Sequence, residues 1–231
     1  MPYSSSLGLI HIAVPKTGST SIINALHQLH DQHGGQLTLV RERVDEAFCQ
    51  QYDLNRISEP LPGRAKHLSA QQLRHILGEA YAKGYSFSFV RNPWARAISR
   101  YRVSHGLHSS KRPTRTLRHW LTRTTNRTSF NDWLRQLERK AERQGGVRNQ
   151  RDKLVDENGH IIVNYVGRLE SLQSGFDDVC RQAGLNPVAV PHRNASHKGP
   201  PYSDYYDNWG RDLIAHLYQP DIELFGYRFG D

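Results

Sequence analysis

The sequence predicts an α/β fold in which helices flank a parallel β-sheet. Two strand–turn–helix units support this prediction, one at residues 8–29 and one at residues 85–103. Strands and helices continue to alternate along the chain. This alternation is typical of parallel strands that are joined by right-handed helical crossovers. With 231 residues, the chain can form one α/β domain with a sizeable core, whereas two domains would each be small. We therefore predict a single domain over residues 1–231.

The first unit begins with an apolar strand from Gly8 to Val14, which ends at Pro15 because proline cannot continue a sheet ladder. After a short turn, apolar residues recur at helical spacing. This arrangement directs backbone N–H groups at one point, where the helix dipole also favours an anion. The sequence therefore predicts a phosphate-binding loop. Its residues are a cation, a glycine and four hydroxyl residues: Lys16, Thr17, Gly18, Ser19, Thr20 and Ser21.

The second unit begins with a strand of aromatic and β-branched type from Tyr85 to Val90. Arg91 follows the strand directly, and Pro93 suits the first turn of a helix that continues to about residue 103. Arginine has a planar group suited to bidentate phosphate contact, and Ser99 lies two helical turns further along. The unit therefore predicts a second phosphate site.

The other predicted elements follow from periodicity and turn residues. They include a strand at 36–40 and a helix with Ser69 as N-cap and Gly84 as its end. Further helices are predicted at 130–144, 172–183 and 204–218. A hairpin is predicted to turn at Asn158-Gly159, between segments 153–157 and 160–166. Three aromatic residues are interpreted as packing residues rather than as a platform that stacks sugars: Trp120, Phe130 and Trp133.

The charge of the chain is concentrated in one segment. The formal net charge is +9, yet residues 96–151 alone contain 15 basic and 3 acidic residues. Such a block indicates an anionic partner, which can be a nucleotide, a sulfated or acidic substrate, a nucleic acid or a membrane surface. The alternative is a basic face that is merely solvated.

Neither phosphate site has the pattern of a metal–triphosphate enzyme. A Walker A loop places its lysine after the second glycine, whereas Lys16 precedes the only glycine of this loop. The neighbouring strand ends in Arg91, where such enzymes often have an acidic magnesium ligand. The histidine and cysteine spacings also lack a zinc pattern. The two units therefore predict a ligand with two separate phosphates and no required metal.

Several segments resemble PAPS-dependent sulfotransferases, where PAPS is 3′-phosphoadenosine 5′-phosphosulfate. VPKTGSTSI (14–22) resembles the loop that binds the 5′-phosphosulfate, and SFVRNPWARAISRYR (88–102) resembles the segment that binds the 3′-phosphate. The tail is similar to the branch that contains carbohydrate O-sulfotransferases. The similar tail segments are VGRLESLQSGFDDVCRQAGL (166–185), HRNASHKG (192–199) and DIELFGYRF (221–229).

The resemblance implies a P-loop-kinase-like sheet and transfer of a sulfuryl group from PAPS to an acceptor hydroxyl, with adenosine 3′,5′-bisphosphate as product. It implies that Lys16 is catalytic and that residues 16–21 hold the 5′-phosphate. Arg91 and Ser99 would hold the 3′-phosphate. Lys198 and Gly199 resemble part of a basic loop that closes over the nucleotide.

A hydroxyl acceptor benefits from a general base. His67 is the candidate, because it lies between the two phosphate units, before a helix N-cap, where the branch often has a histidine. A surface or core histidine is the alternative for that position. His11, inside the first strand, is interpreted as a satisfied core histidine. His192 and His197 are left open between nucleotide binding and solvation.

The acceptor is predicted to be a saccharide or glycan hydroxyl, which can be anionic, with residues 104–160 as a variable substrate-side insertion. The alternatives are a small-molecule sulfotransferase, a kinase that uses the Lys16 loop, and a polyanion-binding module with a vestigial nucleotide site. No specific nucleic acid is expected as a partner. No apolar run reaches the roughly 18 residues of a membrane span, and the N-terminus lacks a basic region before its apolar run. Cys49 and Cys180 are expected to be reduced thiols. These features predict a soluble cytoplasmic protein.

Overall fold

The computed structural model describes residues 2–34, 38–39, 67–105, 129–191 and 200–231. The chain divides into two compact units. The first unit comprises Met1–Arg91 and Asn149–Arg193, and the second comprises Asn92–Arg148 and Asn194–Asp231.

The elements follow in the order of the chain. The strands are β1 (Pro2–Ser4), β2 (Leu9–Ile12), β3 (Thr38–Leu39), β4 (Tyr85–Val90) and β5 (Tyr165–Arg168). The helices are α1 (Ser19–His33), α2 (Ala70–Leu77), α3 (Glu79–Lys83), α4 (Pro93–Ser104), α5 (Phe130–Gln144), α6 (Leu172–Gln182), α7 (Asn208–Leu217) and α8 (Gln219–Phe225). Short 3₁₀ turns lie at Arg151–Lys153, Leu169–Ser171 and Tyr202–Tyr205.

The sheet of the first unit has the order β3-β1-β2-β4-β5. Strands β2, β4 and β5 are parallel, with Ile10 opposite Ser86 and Phe87 opposite Tyr165. The predicted α/β fold with a parallel sheet is therefore confirmed. Strands β1 and β3 extend the sheet antiparallel beyond β2. Strand β1 was not predicted, whereas β3 lies inside the predicted strand at 36–40.

The core of the first unit covers one face of this sheet. Because side chains alternate along a strand, Leu9 and Phe87 contribute to this core, whereas Ile10 and Ile12 are buried on the opposite face. Helices α1 and α6 supply many of the other core side chains, among them Leu26 and Phe176. The strands that precede the candidate loops are thus fixed by apolar burial.

Helix α2 confirms the predicted N-cap. The Ser69 hydroxyl accepts from the Gln72 N–H, and the Gln72 side chain accepts from the Ser69 N–H, which is a capping box. The predicted helix is interrupted at Gly78, where φ is 53°, so that it forms α2 and α3. Helix α3 ends at Gly84 as predicted.

The predicted hairpin at 158–159 forms, but it is short: the Asp156 N–H donates to the His160 carbonyl and the Ile162 N–H donates to the Leu154 carbonyl. Within the described residues, its two arms share one antiparallel bridge, between Val155 and Ile161. The Asp156 carboxylate accepts from the N–H groups of Asn158 and His160, which tightens the turn. The chain then leaves the turn to form β5 in parallel with β4, because burial against the sheet outweighs local turn chemistry.

The second unit is built from helices α4, α5, α7 and α8. Its core includes Trp94, Ile98, Leu134 and Ile214. Phe130 and Trp133 also pack in or against this core, which confirms their interpretation as packing residues, and Trp120 lies outside the described residues. The predicted helix at 204–218 is shorter, because α7 begins after its Asp207 cap. Helix α8 was not predicted.

Candidate functional site

The loop after β2 folds back on the end of its own strand. The hydroxyl groups of Thr17 and Ser19 both donate to the Val14 carbonyl oxygen, at 2.9 Å and 3.3 Å. Lys16 has φ 73°, and among the described residues it is the only residue other than glycine with a positive φ. Left-handed backbone is costly for a residue with a Cβ atom and is concentrated at functional positions. The loop therefore holds its lysine in a conformation that is seldom adopted without a functional reason.

Gly18 caps the N-terminus of α1. Its φ is 85°, and no side chain accepts a hydrogen bond from the first turn at this cap. The Gly18 carbonyl accepts from the N–H groups of Ser21 and Ile22, which begins the helix. A cap without a side-chain acceptor leaves the first-turn N–H groups suited to an external anion, unlike the Ser69 cap of α2.

The position of Gly18 is also sterically restricted. A Cβ atom there would lie 2.8 Å from Cδ1 of Leu169 and 3.4 Å from Cδ2 of Leu172. Both leucines follow β5, which lies on the other side of β4 from β2. Glycine is therefore favoured at position 18 both by the backbone and by this apolar contact.

Arg91 follows the adjacent strand β4 and is half-buried. Because β2 and β4 are parallel neighbours, Arg91 and the Lys16 loop leave the sheet at the same edge. The backbone of Arg91 is held by the buried side chain of Gln150. The Arg91 N–H donates to Gln150 Oε1 at 2.9 Å, and Gln150 Nε2 donates to the Arg91 carbonyl oxygen at 2.8 Å.

His67 lies at the end of β2. Its Nδ1 atom is 3.2 Å from the carbonyl oxygen of Ala13, the residue that follows the strand. A carbonyl oxygen can only accept, so Nδ1 is the donor, and Nε2 is the nitrogen without a proton in the neutral ring. Lys153 Nζ donates to the carbonyl oxygen of His67. The structure therefore brings His67 to the strand end that carries the Lys16 loop.

His11 is unsuited to the role of base. It is buried in β2 and stacks on Phe87, with ring centroids 5.2 Å apart. Burial lowers the pKa of His11 to about 3, so its ring does not take up a proton at neutral pH. The ring is a core histidine as predicted, but it is not fully satisfied, because Nδ1 has no hydrogen-bond partner among the described residues.

The remaining predicted site residues belong to the second unit or lie outside the described residues. Ser99 is half-buried on α4, in the second unit. Lys198 and Gly199 lie outside the described residues, as does Cys49. Cys180 is a buried free thiol, and burial raises its pKa to about 11. No group of three or more metal-ligating side chains occurs in the described part of the chain.

Gln150 and Lys153 were missed by sequence reasoning. They contact residues 59 and 86 positions away in the chain, so no local pattern marks them. They also fall within 104–160, the segment predicted to be a variable substrate-side insertion.

Three comparisons with known proteins give one match. A search of the curated proteins and a search of the solved structures each found no match. Within the described residues, no helix is long and apolar enough to cross a membrane. The model of the Sulfotransferase family matches residues 3–228, nearly the whole chain. The chain therefore belongs to the Sulfotransferase family.

Proposed function

We propose that this sulfotransferase uses PAPS as its donor and transfers the sulfuryl group to a hydroxyl of a saccharide or glycan. The observation that carries the proposal is the position of His67 at Ala13, beside the Lys16 loop. Arg91 leaves the adjacent strand at the same edge of the sheet. One edge of the first unit thus holds a cationic loop, an arginine and a histidine with a defined tautomer.

The donor set of this edge fits a ligand with two phosphates. Backbone N–H groups at the start of α1 and the hydroxyl groups of Thr20 and Ser21 suit the 5′-phosphate. The hydroxyl protons of Thr17 and Ser19 are donated to the Val14 carbonyl, so these two residues would serve the 5′-phosphate by holding the loop in shape. Arg91 suits the 3′-phosphate, because its guanidinium can donate two parallel hydrogen bonds. Ser99 would contribute to the 3′-phosphate, and Lys198 and Gly199 to a loop over the nucleotide.

The proposed transfer is an in-line displacement at sulfur. The acceptor oxygen forms a new S–O bond while the bond from sulfur to the bridging phosphate oxygen breaks, and its electron pair leaves with adenosine 3′,5′-bisphosphate. Lys16 would neutralise the negative charge that develops on that oxygen, so it stabilises the transition state more than the ground state.

His67 would take the proton of the acceptor hydroxyl on Nε2. The hydrogen bond from Nδ1 to the Ala13 carbonyl fixes the required tautomer and would stabilise the imidazolium that forms. A hydroxyl acceptor is implied by the family. The saccharide is favoured by the resemblance of the tail and by the basic segment at 96–151.

The experiment is transfer of radiolabelled sulfate from PAPS to a panel of neutral and anionic oligosaccharides, phenols and simple alcohols. We expect an oligosaccharide to be the best acceptor. We also expect His67→Ala to lower transfer about 10²-fold or more while keeping the affinity for adenosine 3′,5′-bisphosphate.

The matched control is His27→Ala, an exposed histidine on α1, which should leave transfer unchanged. Full activity of His67→Ala would show that another group takes the proton. Preference for a phenol or alcohol would replace the saccharide with a small-molecule acceptor.

A further inference from the structure

The segment Asn149–Lys153, here called the 149–153 turn, contacts both the strand-end arginine and the candidate base. Gln150 is fully buried, with 0% of its surface exposed. A buried amide needs polar partners, and both of its functional atoms bond to the backbone of Arg91. Gln150 therefore acts on Arg91 through its main chain.

This pair of hydrogen bonds has a specific geometric effect. Strand β4 ends at Val90, so the ladder with β2 and β5 no longer fixes the next residue. The Gln150 amide accepts a hydrogen bond from the N–H of Arg91 and donates one to its carbonyl oxygen. It therefore makes the two backbone hydrogen bonds that a neighbouring strand would otherwise make at this residue. The direction in which the arginine leaves the sheet is thus set by Gln150.

The same turn reaches the base through Lys153, which donates to the His67 carbonyl. The turn itself is held by local hydrogen bonds. Asp152 accepts from the Asn149 N–H at 2.7 Å, and the Arg151 carbonyl accepts from the Leu154 N–H at 2.7 Å. Leu154 is completely buried and anchors the turn in the first unit.

We propose that the 149–153 turn is the positioning element of the site. Gln150 orients Arg91 toward the 3′-phosphate, and Lys153 keeps His67 at the Ala13 carbonyl. The proposal rests on the proposed function, since it assumes that Arg91 and His67 serve a 3′-phosphate and an acceptor hydroxyl. Neither Gln150 nor Lys153 needs to touch a substrate for this role.

The first test uses Gln150→Met, which keeps the length and volume of the side chain but removes both hydrogen bonds. Calorimetry with adenosine 3′,5′-bisphosphate and with adenosine 5′-phosphate separates the 3′-phosphate from the rest of the ligand. We expect the dissociation constant of the bisphosphate to rise about tenfold, the effect of about 1.4 kcal/mol, with adenosine 5′-phosphate changed less than about twofold. A general loss of structure would weaken both ligands alike.

The second variant, Gln150→Glu, adds a readout by pH. A protonated carboxyl can accept from the Arg91 N–H and donate to its carbonyl as the amide does, whereas a carboxylate can only accept. Burial raises the pKa of such a carboxyl. Relative to wild type at each pH, preference for the bisphosphate should therefore be retained at about pH 5.5 and lost as the pH rises toward about 8.5.

Lys153→Met tests the contact with the base. Nitrogen NMR of histidine rings distinguishes the tautomers, and the signals of His67 are assigned by their loss in His67→Ala. We expect the Nδ1–H form of His67 to lose its dominance in Lys153→Met, with the affinity for adenosine 3′,5′-bisphosphate unchanged. An unaltered tautomer would overturn the role given to Lys153.

The outcomes separate the two proposals. If wild type does not prefer the bisphosphate over adenosine 5′-phosphate, the proposed donor site is wrong. The donor site stands if wild type has that preference and Arg91→Ala removes it. If Gln150→Met and Gln150→Glu then keep the preference at every pH, the role of Gln150 is refuted.

Discussion

Replacement of Gly18 by alanine tests how tightly the loop after β2 is packed. Gly18 has φ 85°, and its added Cβ would lie 2.8 Å from Cδ1 of Leu169. Carbon atoms do not approach to that distance without displacement of one of them. The contacted atom ends a flexible side chain, but Leu172 Cδ2, at 3.4 Å, limits the space on the same side.

The expected cost has two parts. Left-handed backbone costs an alanine about 1 kcal/mol relative to glycine. Displacement of Leu169 adds about 1–2 kcal/mol, at the lower end of the cost of overpacking, because the leucine can rotate. Gly18→Ala should therefore lower the free energy of unfolding by about 2–3 kcal/mol.

Urea denaturation measures this free energy, with Gly145→Ala as the matched control. Gly145 is also left-handed, with φ 68°, and a Cβ there would meet no atom within 4 Å. The control should lose only the backbone part, about 1 kcal/mol. Equal losses of unfolding free energy in the two variants would refute the packing argument. It would also be refuted if Gly18→Ala still lowered the free energy of unfolding by about 2–3 kcal/mol in a Leu169→Ala background.

Two further predictions concern Lys16 and His11. Because Lys16 has φ 73°, Lys16→Gly should be about 1 kcal/mol more stable to urea than Lys16→Ala. Both variants should lose sulfuryl transfer. Equal stability of the two variants would mean that the lysine backbone is unstrained. His11 has a folded pKa of about 3 against 6.5 in the unfolded chain, so the unfolded chain takes up the proton first as the pH falls. The free energy of unfolding should therefore fall by about 2 kcal/mol from about pH 8 to about pH 5, and His11→Leu should lack this component. The same slope in both proteins would contradict the assignment.

The sequence predicted those parts of the fold that depend on local patterns. The loop at Lys16 and Gly18 and the turn at Arg91 each follow an apolar strand, so hydrophobicity and turn residues were sufficient to place them. The turn at Asn158-Gly159 forms, but strand pairing is decided by burial against β4, which a local signal cannot report. Strand β1 has three residues and α8 has seven, too few for a clear period.

The candidate site was predicted in part for the same reason. His67 was suggested by its place in the sequence, but its contact with Ala13 spans 54 positions. Gln150 and Lys153 have no distinctive neighbours, and their significance comes only from contacts made after the chain has folded. The proposed positioning residues depend on tertiary contacts, whereas the proposed phosphate loop depends on local backbone geometry.

The most direct test of the account is calorimetry of adenosine 3′,5′-bisphosphate with wild type and Arg91→Ala, each with and without magnesium. We predict metal-independent binding by wild type that weakens about 10–100-fold in Arg91→Ala, the loss expected for charge-assisted hydrogen bonds to one phosphate. Binding of adenosine 5′-phosphate should be nearly equal in the two proteins. Absence of binding by wild type, a requirement for magnesium, or equal affinity in Arg91→Ala would contradict a site built for two phosphates.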